Sequence, residues 1–425
     1  MNGLRRVVIV YERAGQGHLA AAEVLRSVLQ TEPDVEVVLT DGEELERDGG
    51  SGENPLIALW NWLIRRGWFR LADLILNHWF RVLIFPLLSV SAGFPRVKTR
   101  LKAMSPDAVV STADAFSRAL GDAANELGVP FTVLPIECSI FVDVMHPDAE
   151  YLVYFEETAR AIQRFDLTTT HFCRVIRDNA TAGEKLAYLF SWFTTYGVRS
   201  TEPLLFQGAG GVGPKANDLP CHVLGPLRDA ADHAPAAEPA PNARAQILVA
   251  SGSLGGRFVS RAVRRLLAMP NLNADVIALC GRDESLLAEL QACRPVSKSA
   301  SLECHGYVSD MPARLRRTSV LLARPSASLF LEAILAGVPL LIPAKATKND
   351  SGTVDLTRAW RIGEAYDRDD EIPATLSRML TNLGEYRARL KDVRARYAEP
   401  LESVASRIRS VVWRAPPHRA PPHAK

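Results

Sequence analysis

The chain has 425 residues, 47% of them hydrophobic, which is enough for two or three globular domains of roughly 150 residues each. Its formal net charge of +2 is too small to indicate nucleic-acid binding. Its six cysteines show neither C-x-x-C pairs nor the spacing of a zinc site, so we expect no metal. We expect no cofactor either. Without a signal peptide or a run of ~20 apolar residues, the chain is predicted to be cytoplasmic and to lack a membrane-spanning helix.

Apolar runs of strand length alternate with helical patterns along the chain. Because strands separated by helices form parallel sheets with right-handed crossovers, the alternation predicts an α/β protein. In the first half, the predicted strands are residues 7–11, 35–39, 108–111, 131–134, 151–155, 204–206 and 222–225. In the second half, they are residues 246–250, 275–280, 301–305, 320–323 and 339–342.

A segment rich in alanine and proline, residues 229–245, separates the two halves. Such a composition favours extended backbone and cannot pack a core, so the segment is predicted to be a linker. We therefore expect an N-terminal domain at 1–228, a C-terminal domain at 246–413 and a disordered basic tail at 414–425. Two such domains form a cleft between them, where ligands tend to bind.

A small-residue turn follows the first predicted strand and ends in a histidine. Gly15, Gln16 and Gly17 let the backbone approach a ligand, and the helix that begins there presents unpaired N–H groups to an anion. His18 in the first helical turn can take a proton from a bound hydroxyl near neutral pH. The alternative is a turn that merely packs a helix against a strand, with His18 facing water.

A second turn of the same kind, residues 251–256, follows the strand at 246–250. It predicts another amide cradle for phosphate, formed by Ser251, Gly252, Ser253 and Gly255, with Arg257 adding a charged contact. Tight packing of a helix on a strand would explain the same glycines. Neither turn fits G-x-x-x-x-G-K-[ST] or G-x-G-x-x-G, which disfavours a P-loop kinase or an ordinary dehydrogenase.

Taken together, the ordered motifs resemble those of one enzyme family. They are the turn ending in His18, residues 106–112, the turn at 251–256, residues 305–308 with Met311, and Glu332-Ala333. This pattern is similar to GT-B glycosyltransferases that use nucleotide sugars, namely the diacylglycerol glycosyltransferases of galactolipid synthesis and the lipid-linked N-acetylglucosaminyltransferase of peptidoglycan synthesis. The resemblance implies two Rossmann-like domains facing a central cleft, and inverting transfer of a sugar from a UDP donor to a lipid hydroxyl.

Several roles come from the resemblance or from the chemistry that it implies. His18 is the expected base, and Asp114 and Glu137 are further candidates because they lie near predicted strand ends. The family pattern places the nucleotide base against the backbone near Tyr307 and Val308, and the ribose hydroxyls on Glu332. The alternative for Glu332 is an acid favoured near a helix N-terminus by the helix dipole.

The chain departs from the family pattern in the region that contacts the donor. Where relatives have a glycine-rich turn, this chain has residues 324–329, in which Arg324 keeps the positive charge and the hydroxyls of Ser326 and Ser328 replace glycine amides as donors. Asn349 and Asp350 are the expected replacements for the family's contacts to the sugar. These changes leave the identity of the sugar open.

Residues 54–94 contain four of the seven tryptophans among leucines and arginines. Such a mixture suits the bilayer interface, so contact with an anionic membrane is predicted at Trp60, Trp62, Arg65, Arg66 and Trp68. A buried helical hairpin would explain the same residues.

We therefore expect a nucleotide-sugar donor and a lipid or lipid-like acceptor as partners, on the inner face of the cell membrane, and no nucleic acid. Two alternatives remain from the sequence. The first is an epimerase of the same fold that acts on the nucleotide sugar. The second is a non-catalytic protein that binds nucleotide or lipid, which the altered turn at 324–329 favours.

Overall fold

Two parallel sheets of six strands each organise the chain. The computed structural model describes residues 4–13, 16–46, 55–84, 87, 95–114, 116–164, 181–191, 193, 219–227, 244–253 and 255–414. The first sheet has the order β2-β1-β3-β4-β5-β6. Its strands are β1 (Arg5–Tyr11), β2 (Val35–Asp41), β3 (Ala108–Ser111), β4 (Phe131–Val133), β5 (Glu150–Val153) and β6 (Cys221–Val223).

The second sheet has the order β12-β11-β10-β7-β8-β9, and all its described strand pairs are parallel. Its central strand β10 is fully buried, as expected for a sheet covered by helices on both faces. The strands are β7 (Ala245–Ala250), β8 (Ala274–Leu279), β9 (Ser301–His305), β10 (Val320–Ala323), β11 (Leu340–Pro343) and β12 (Gly363–Tyr366).

Helices connect the strands and cover the sheets. In the first half they are α1 (Gly17–Leu29), α2 (Gly42–Glu46), α3 (Pro55–Arg66), α4 (Phe69–Asp73), a π-helical segment (Leu74–Ile84), α5 (Pro95–Ala103), α6 (Ser117–Leu127), α7 (Glu156–Arg164) and α8 (Ala182–Ser191). In the second half they are α9 (Arg257–Leu267), α10 (Glu284–Gln291), α11 (Met311–Leu315), α12 (Ala327–Ala336), α13 (Ser351–Trp360), α14 (Ile372–Thr381), α15 (Leu383–Tyr397) and α16 (Leu401–Val412). Among the described helices, none combines the length and the apolar character needed to cross a bilayer.

The predicted strands agree well with the observed ones. Eleven of the twelve strands in the two sheets overlap a predicted strand, and β12 was missed. Its sequence, Gly-Glu-Ala-Tyr, contains too few apolar residues to show a strand pattern. The predicted strand at 204–206, nearly all of the predicted linker at 229–245 and all but the first residue of the predicted tail lie outside the described residues.

The last helix corrects the predicted extent of the C-terminal domain. We expected that domain to run to residue 413, but α16 packs against α1, β3 and β4 of the first lobe. At its end, the Trp413 indole nitrogen donates to Glu32 at 3.3 Å, and the Arg407 guanidinium donates to the Val223 carbonyl at 2.7 Å. The chain therefore returns to the first lobe, which a composition boundary does not reveal.

An aromatic cluster joins the two lobes at their base. The Phe155 ring lies 6.0 Å from Phe330, 5.0 Å from Trp360 and 5.1 Å from Tyr397, measured between ring centroids. Phe155 follows β5 of the first sheet, and its three partners belong to α12, α13 and α15. The described core therefore continues from one lobe into the other.

Candidate active site

The carboxyl edges of the two sheets face each other across a cleft of about 240 Å³. Both predicted glycine turns contribute to it, through Gln16 and Gly17 from the first lobe and Ser251–Ser253 from the second. A second cavity of about 220 Å³ adjoins it and contains His18. Glu137 and Arg324 line both cavities, so the two spaces meet at these side chains.

The first turn brings the backbone close to the cleft. Gly15 lies outside the described residues, and Gly17 is the first residue of α1. A Cβ atom at Gly17 would lie 3.1 Å from the Ile136 side chain, which leaves little room for any other residue. The helix therefore begins directly at the cleft, with its unpaired amides at that end.

His18 does not face water. Its side chain is buried, and its Nδ1 lies 2.6 Å from the carbonyl oxygen of Thr112. Because a carbonyl oxygen only accepts, Nδ1 carries the proton and Nε2 of the neutral ring remains as an acceptor. The ring lines the second cavity together with Asp114. This arrangement suits a group that takes a proton.

Three carboxyl groups, those of Asp114, Glu137 and Asp350, line the second cavity together with His18 and Arg324. Burial raises the pKa of Asp114, and the nearby His18 opposes that rise. Burial together with the charges of Asp350 and Asp114 raises the pKa of Glu137 to about 8. Burial also raises the pKa of Asp350, whose carboxylate lies 3.5 Å from the Arg324 guanidinium.

Glu137 has an unsatisfied oxygen at the junction of the two cavities. Its Oε2 is buried and has no hydrogen-bond partner among the residues that the structure describes. A buried polar atom without a partner is costly, and such atoms are common where a ligand supplies the partner. The Nε of Arg324, which lines the same two cavities, is also buried and has no hydrogen-bond partner among the described residues.

The second turn has the backbone of a glycine cradle. Gly252 lines the cleft, with φ +72° and open space where a Cβ would stand. At Gly255, with φ +63°, a Cβ would lie 2.0 Å from the Cys280 carbonyl oxygen. Gly281 was not predicted, although it also lines the cleft and has φ +61°. A glycine two residues after the end of a strand, here β8, was the signal that could have indicated it.

Arg257 is a correction to the predicted site. It lines a different hollow, on the side of α3, and not the cleft. Gly256, which precedes it, has φ +101°, and a Cβ there would lie 2.6 Å from the Arg65 carbonyl oxygen. Gly256 therefore lies directly against α3, and the Arg257 side chain lines the hollow on that side.

Most of the other predicted donor residues meet in the cleft. Those that line it are Tyr307, Val308, Arg324, Ser326, Ser328 and Glu332. Ser326 is the N-cap of α12, and its side chain makes no capping hydrogen bond, so the start of this helix opens towards the cleft. Asn349 and Asp350 instead line the second cavity, next to His18.

The predicted membrane segment has two distinct faces. Its inner face lines the second cavity with Trp60, Leu63, Ile75, Trp79 and Phe80. Its outer face leaves large apolar side chains exposed, including Leu59, Trp62, Trp68, Leu71 and Leu74. The inner face therefore agrees with the alternative of a packed helical hairpin. The outer face has the exposed tryptophans and leucines from which membrane contact was predicted.

Sequence reasoning missed the polar contacts that attach this segment to both lobes. Arg81 is buried, forms an ion pair with Asp143 at 3.0 Å and donates to the Asn349 side chain at 3.3 Å. Asp73 accepts a hydrogen bond from the Lys348 amide at 2.9 Å. The segment is thereby fixed to the loop that carries Asn349.

Comparisons with solved structures agree with this architecture. The structure of MurG from Acinetobacter baumannii has a TM-score of 0.55 at 14% identity, over 96% of this chain and 99% of that one. The glycosyltransferase SnogD from Streptomyces nogalater has a TM-score of 0.53 at 14% identity, over 96% of this chain and 99% of that one. The chain has the GT-B fold. The predicted fold class is therefore confirmed.

Sequence comparisons point the same way over a shorter region. No protein-family model matches the chain. Two relatives are named UDP-N-acetylglucosamine–N-acetylmuramyl-(pentapeptide) pyrophosphoryl-undecaprenol N-acetylglucosamine transferase. The one from Sphingopyxis alaskensis is 29% identical over 145 residues, which are 32% of this chain and 36% of the relative. The one from Gluconobacter oxydans is 27% identical over 162 residues, which are 36% of this chain and 43% of the relative.

The similarity thus spans less than half the length of these relatives. It confirms the resemblance to the lipid-linked N-acetylglucosaminyltransferase of peptidoglycan synthesis. The resemblance to the galactolipid enzymes stays a prediction.

Proposed function

We propose that the chain is an inverting glycosyltransferase that moves a sugar from a nucleotide donor, with UDP as the expected nucleotide, to the hydroxyl of a lipid-linked acceptor. The observation that carries this proposal is the meeting of two cavities at Glu137 and Arg324, one bordered by glycine turns and the other by an apolar wall. The two relatives support the choice of donor and acceptor, since their names include UDP-N-acetylglucosamine and pyrophosphoryl-undecaprenol.

The donor would occupy the cleft that the two glycine turns border. Backbone amides of Ser251–Ser253 and the start of α12 would hold the diphosphate, since N–H groups at helix starts bind phosphate without a metal. The nucleotide base would lie near Tyr307 and Val308, and Glu332 would accept hydrogen bonds from the ribose hydroxyls. The sugar would then extend towards Asn349 in the second cavity.

The reaction would be one displacement at the anomeric carbon. The acceptor oxygen forms a bond to that carbon while the bond to the diphosphate oxygen breaks, and the electron pair leaves with the diphosphate. His18 would take the hydroxyl proton at Nε2, and Asp114 beside it would stabilise the resulting imidazolium. Glu137, which is protonated at neutral pH because of its raised pKa, would donate a hydrogen bond to the developing charge.

The acceptor would enter along the apolar wall of the second cavity, which includes Trp60, Trp79 and Phe80. The outer face of the same segment exposes 43% of Trp62 and 44% of Trp68, and exposed tryptophans next to arginines suit the headgroup level of a bilayer. We therefore place the protein at the inner face of the cell membrane, with Arg65 and Arg66 towards anionic lipid. Trp60 contributes to the acceptor wall instead of the membrane surface.

The test is a product assay with radiolabelled UDP-sugars and a lipid-linked acceptor in detergent. Label that enters the organic phase, and does so far less with His18→Ala than with the control His222→Ala, supports the proposal. His222 is a suitable control because it pairs with Glu150 in the first sheet and does not line either cavity. A changed soluble nucleotide sugar would identify an epimerase, and nucleotide binding without any product would identify a binding protein; either result overturns the proposal.

A further inference from the structure

A third hollow, of about 620 Å³, lies between α3 of the hairpin segment and the starts of α9 and α10 in the second lobe. Four arginines line it: Arg65 and Arg66 from α3, Arg257 from α9, and Arg282 from the loop before α10. Its walls touch, because a Cβ at Gly256 would lie 2.6 Å from the Arg65 carbonyl oxygen. Side chains from both lobes therefore surround one shared space.

The four guanidinium groups form no close ion pairs, although the charge of Arg257 adds to the hydrogen bonds from Ser260 and Arg264 that lower the pKa of Glu289. Among the residues that the structure describes, none of the four forms an ion pair within 4.0 Å. Arg66 lies over the Trp62 ring at 5.2 Å and Arg282 over the Tyr307 ring at 5.3 Å, contacts that leave the forked N–H donors available.

The carboxylates of the same hollow are largely engaged elsewhere. The hollow also contains Asp283, Glu284 and Glu289. Asp283 accepts hydrogen bonds from the Leu286 amide at 3.0 Å and the Ser285 hydroxyl at 2.8 Å. Glu289 accepts from Arg264 at 2.8 Å, outside the group of four. Four arginines therefore face three carboxylates, of which Asp283 and Glu289 already accept hydrogen bonds from other groups, and this net positive charge suits an anion.

The position of the hollow indicates which anion. Trp62 belongs both to its wall and to the exposed apolar face that contains Trp68, with the two rings in edge contact at 5.2 Å between centroids. We propose that the hollow binds the phosphate of an anionic phospholipid headgroup whose acyl chains lie in a bilayer against that apolar face. This inference rests on the proposed membrane contact, and it adds a specific lipid site that spans both lobes.

The site would connect the membrane to the donor cleft. Arg257 begins α9, directly after the turn at Ser251–Gly256 that we assign to the diphosphate. Arg282 lies over Tyr307, which lines the donor cleft. A headgroup held by both arginines and by α3 would therefore fix the donor turn relative to the hairpin.

The experiment compares binding of the full chain to vesicles of phosphatidylcholine alone and to vesicles with ~30% phosphatidylglycerol. Variants are Arg257→Ala, the double variant Arg65→Ala with Arg257→Ala, and the control Arg265→Ala. The control has the same change of charge on the same helix, and Arg265 does not line the hollow. Since each arginine near an anionic surface contributes ~1 kcal/mol, we expect about fivefold weaker binding to phosphatidylglycerol for the single variant and about 25-fold for the double.

Equal losses for Arg257→Ala and Arg265→Ala would overturn the proposal, because a diffuse field would then explain the binding. A second result would also overturn the proposal. If inorganic phosphate stabilises the protein in a thermal shift but the protein shows no preference for phosphatidylglycerol vesicles, the ligand of the hollow is a soluble anion. Sugar transfer to an acceptor in detergent is measured in parallel. Transfer without a vesicle preference refutes the lipid site alone, whereas a vesicle preference without transfer refutes the proposed activity alone.

Discussion

Replacing Glu137 by glutamine should stabilise the protein, and the gain should depend on pH. The pKa of Glu137 is raised to about 8, chiefly by burial, whereas an exposed glutamate titrates at about 4.3. Between these values the native state binds more protons than the unfolded state, so the free energy of unfolding falls as pH rises, by about 1.4 kcal/mol per pH unit. Glutamine has nearly the shape of protonated glutamate and cannot ionise.

The expected difference between variant and wild type is therefore near zero at pH 4 to 5. It grows to at most about 5 kcal/mol at pH 8 to 9, which is the slope multiplied by the interval of roughly four pH units. The nearby carboxylates Asp350 and Asp114 contribute to the shift, so the full value requires that both are charged.

The measurement is urea unfolding of the nucleotide-free protein at whole pH units from 5 to 9. Glu126→Gln serves as the control, because its expected effect on stability has the opposite sign. Although burial acts to raise it, hydrogen bonds from Lys102 and Lys98 lower the pKa of Glu126, so its replacement should reduce stability at neutral pH. A Glu137→Gln variant that is destabilised at pH 8, or whose effect is the same at every pH, would show that this carboxylate is charged and satisfied in the native state.

Three further predictions concern the turns and the contacts between elements. His18→Ala should reduce turnover by a factor on the order of 10² to 10⁴ with nucleotide affinity nearly unchanged, as measured by steady-state kinetics and calorimetry. Gly252→Ala should lower the free energy of unfolding by about 1 kcal/mol, because of the positive φ alone. Gly256→Ala should lower it by more, because a Cβ at Gly256 would also meet the Arg65 backbone at 2.6 Å. Arg81→Ala should lower the free energy of unfolding, measured in urea, by roughly 3 to 5 kcal/mol, since the substitution leaves Asp143 buried and unpaired.

Each of these predictions has an outcome that contradicts it. Loss of nucleotide affinity with unchanged turnover in His18→Ala would assign His18 to binding. Equal stability of Gly252→Ala and Gly256→Ala would mean that α3 does not lie against the second turn. An Arg81→Ala variant as stable as wild type would remove the buried ion pair with Asp143 from the account of how the hairpin is held.

Both sheets could be predicted from the sequence because buried parallel strands are continuous apolar runs, as β3 and β10 show. The two glycine turns could be predicted because they follow such runs directly. The ion pair of Arg81 with Asp143 could not, since it joins positions 62 residues apart through the packing of the hairpin. The placement of Arg257 in the hollow beside α3 could not be predicted either, because it involves the packing of α3 against Gly256, two elements far apart in the sequence.

The raised pKa of Glu137 gives the proposed reaction its division of roles. Two groups that both accept protons would compete for one hydroxyl proton, whereas here Glu137 holds its own proton at neutral pH and Nε2 of the neutral His18 ring is the acceptor. A diphosphate bound as proposed would add negative charge to the cleft that Glu137 lines, and like charge raises the pKa of a carboxyl group further. Donor binding would therefore hold Glu137 in the form that donates a hydrogen bond, and Arg324, which lines both cavities, would balance the added charge.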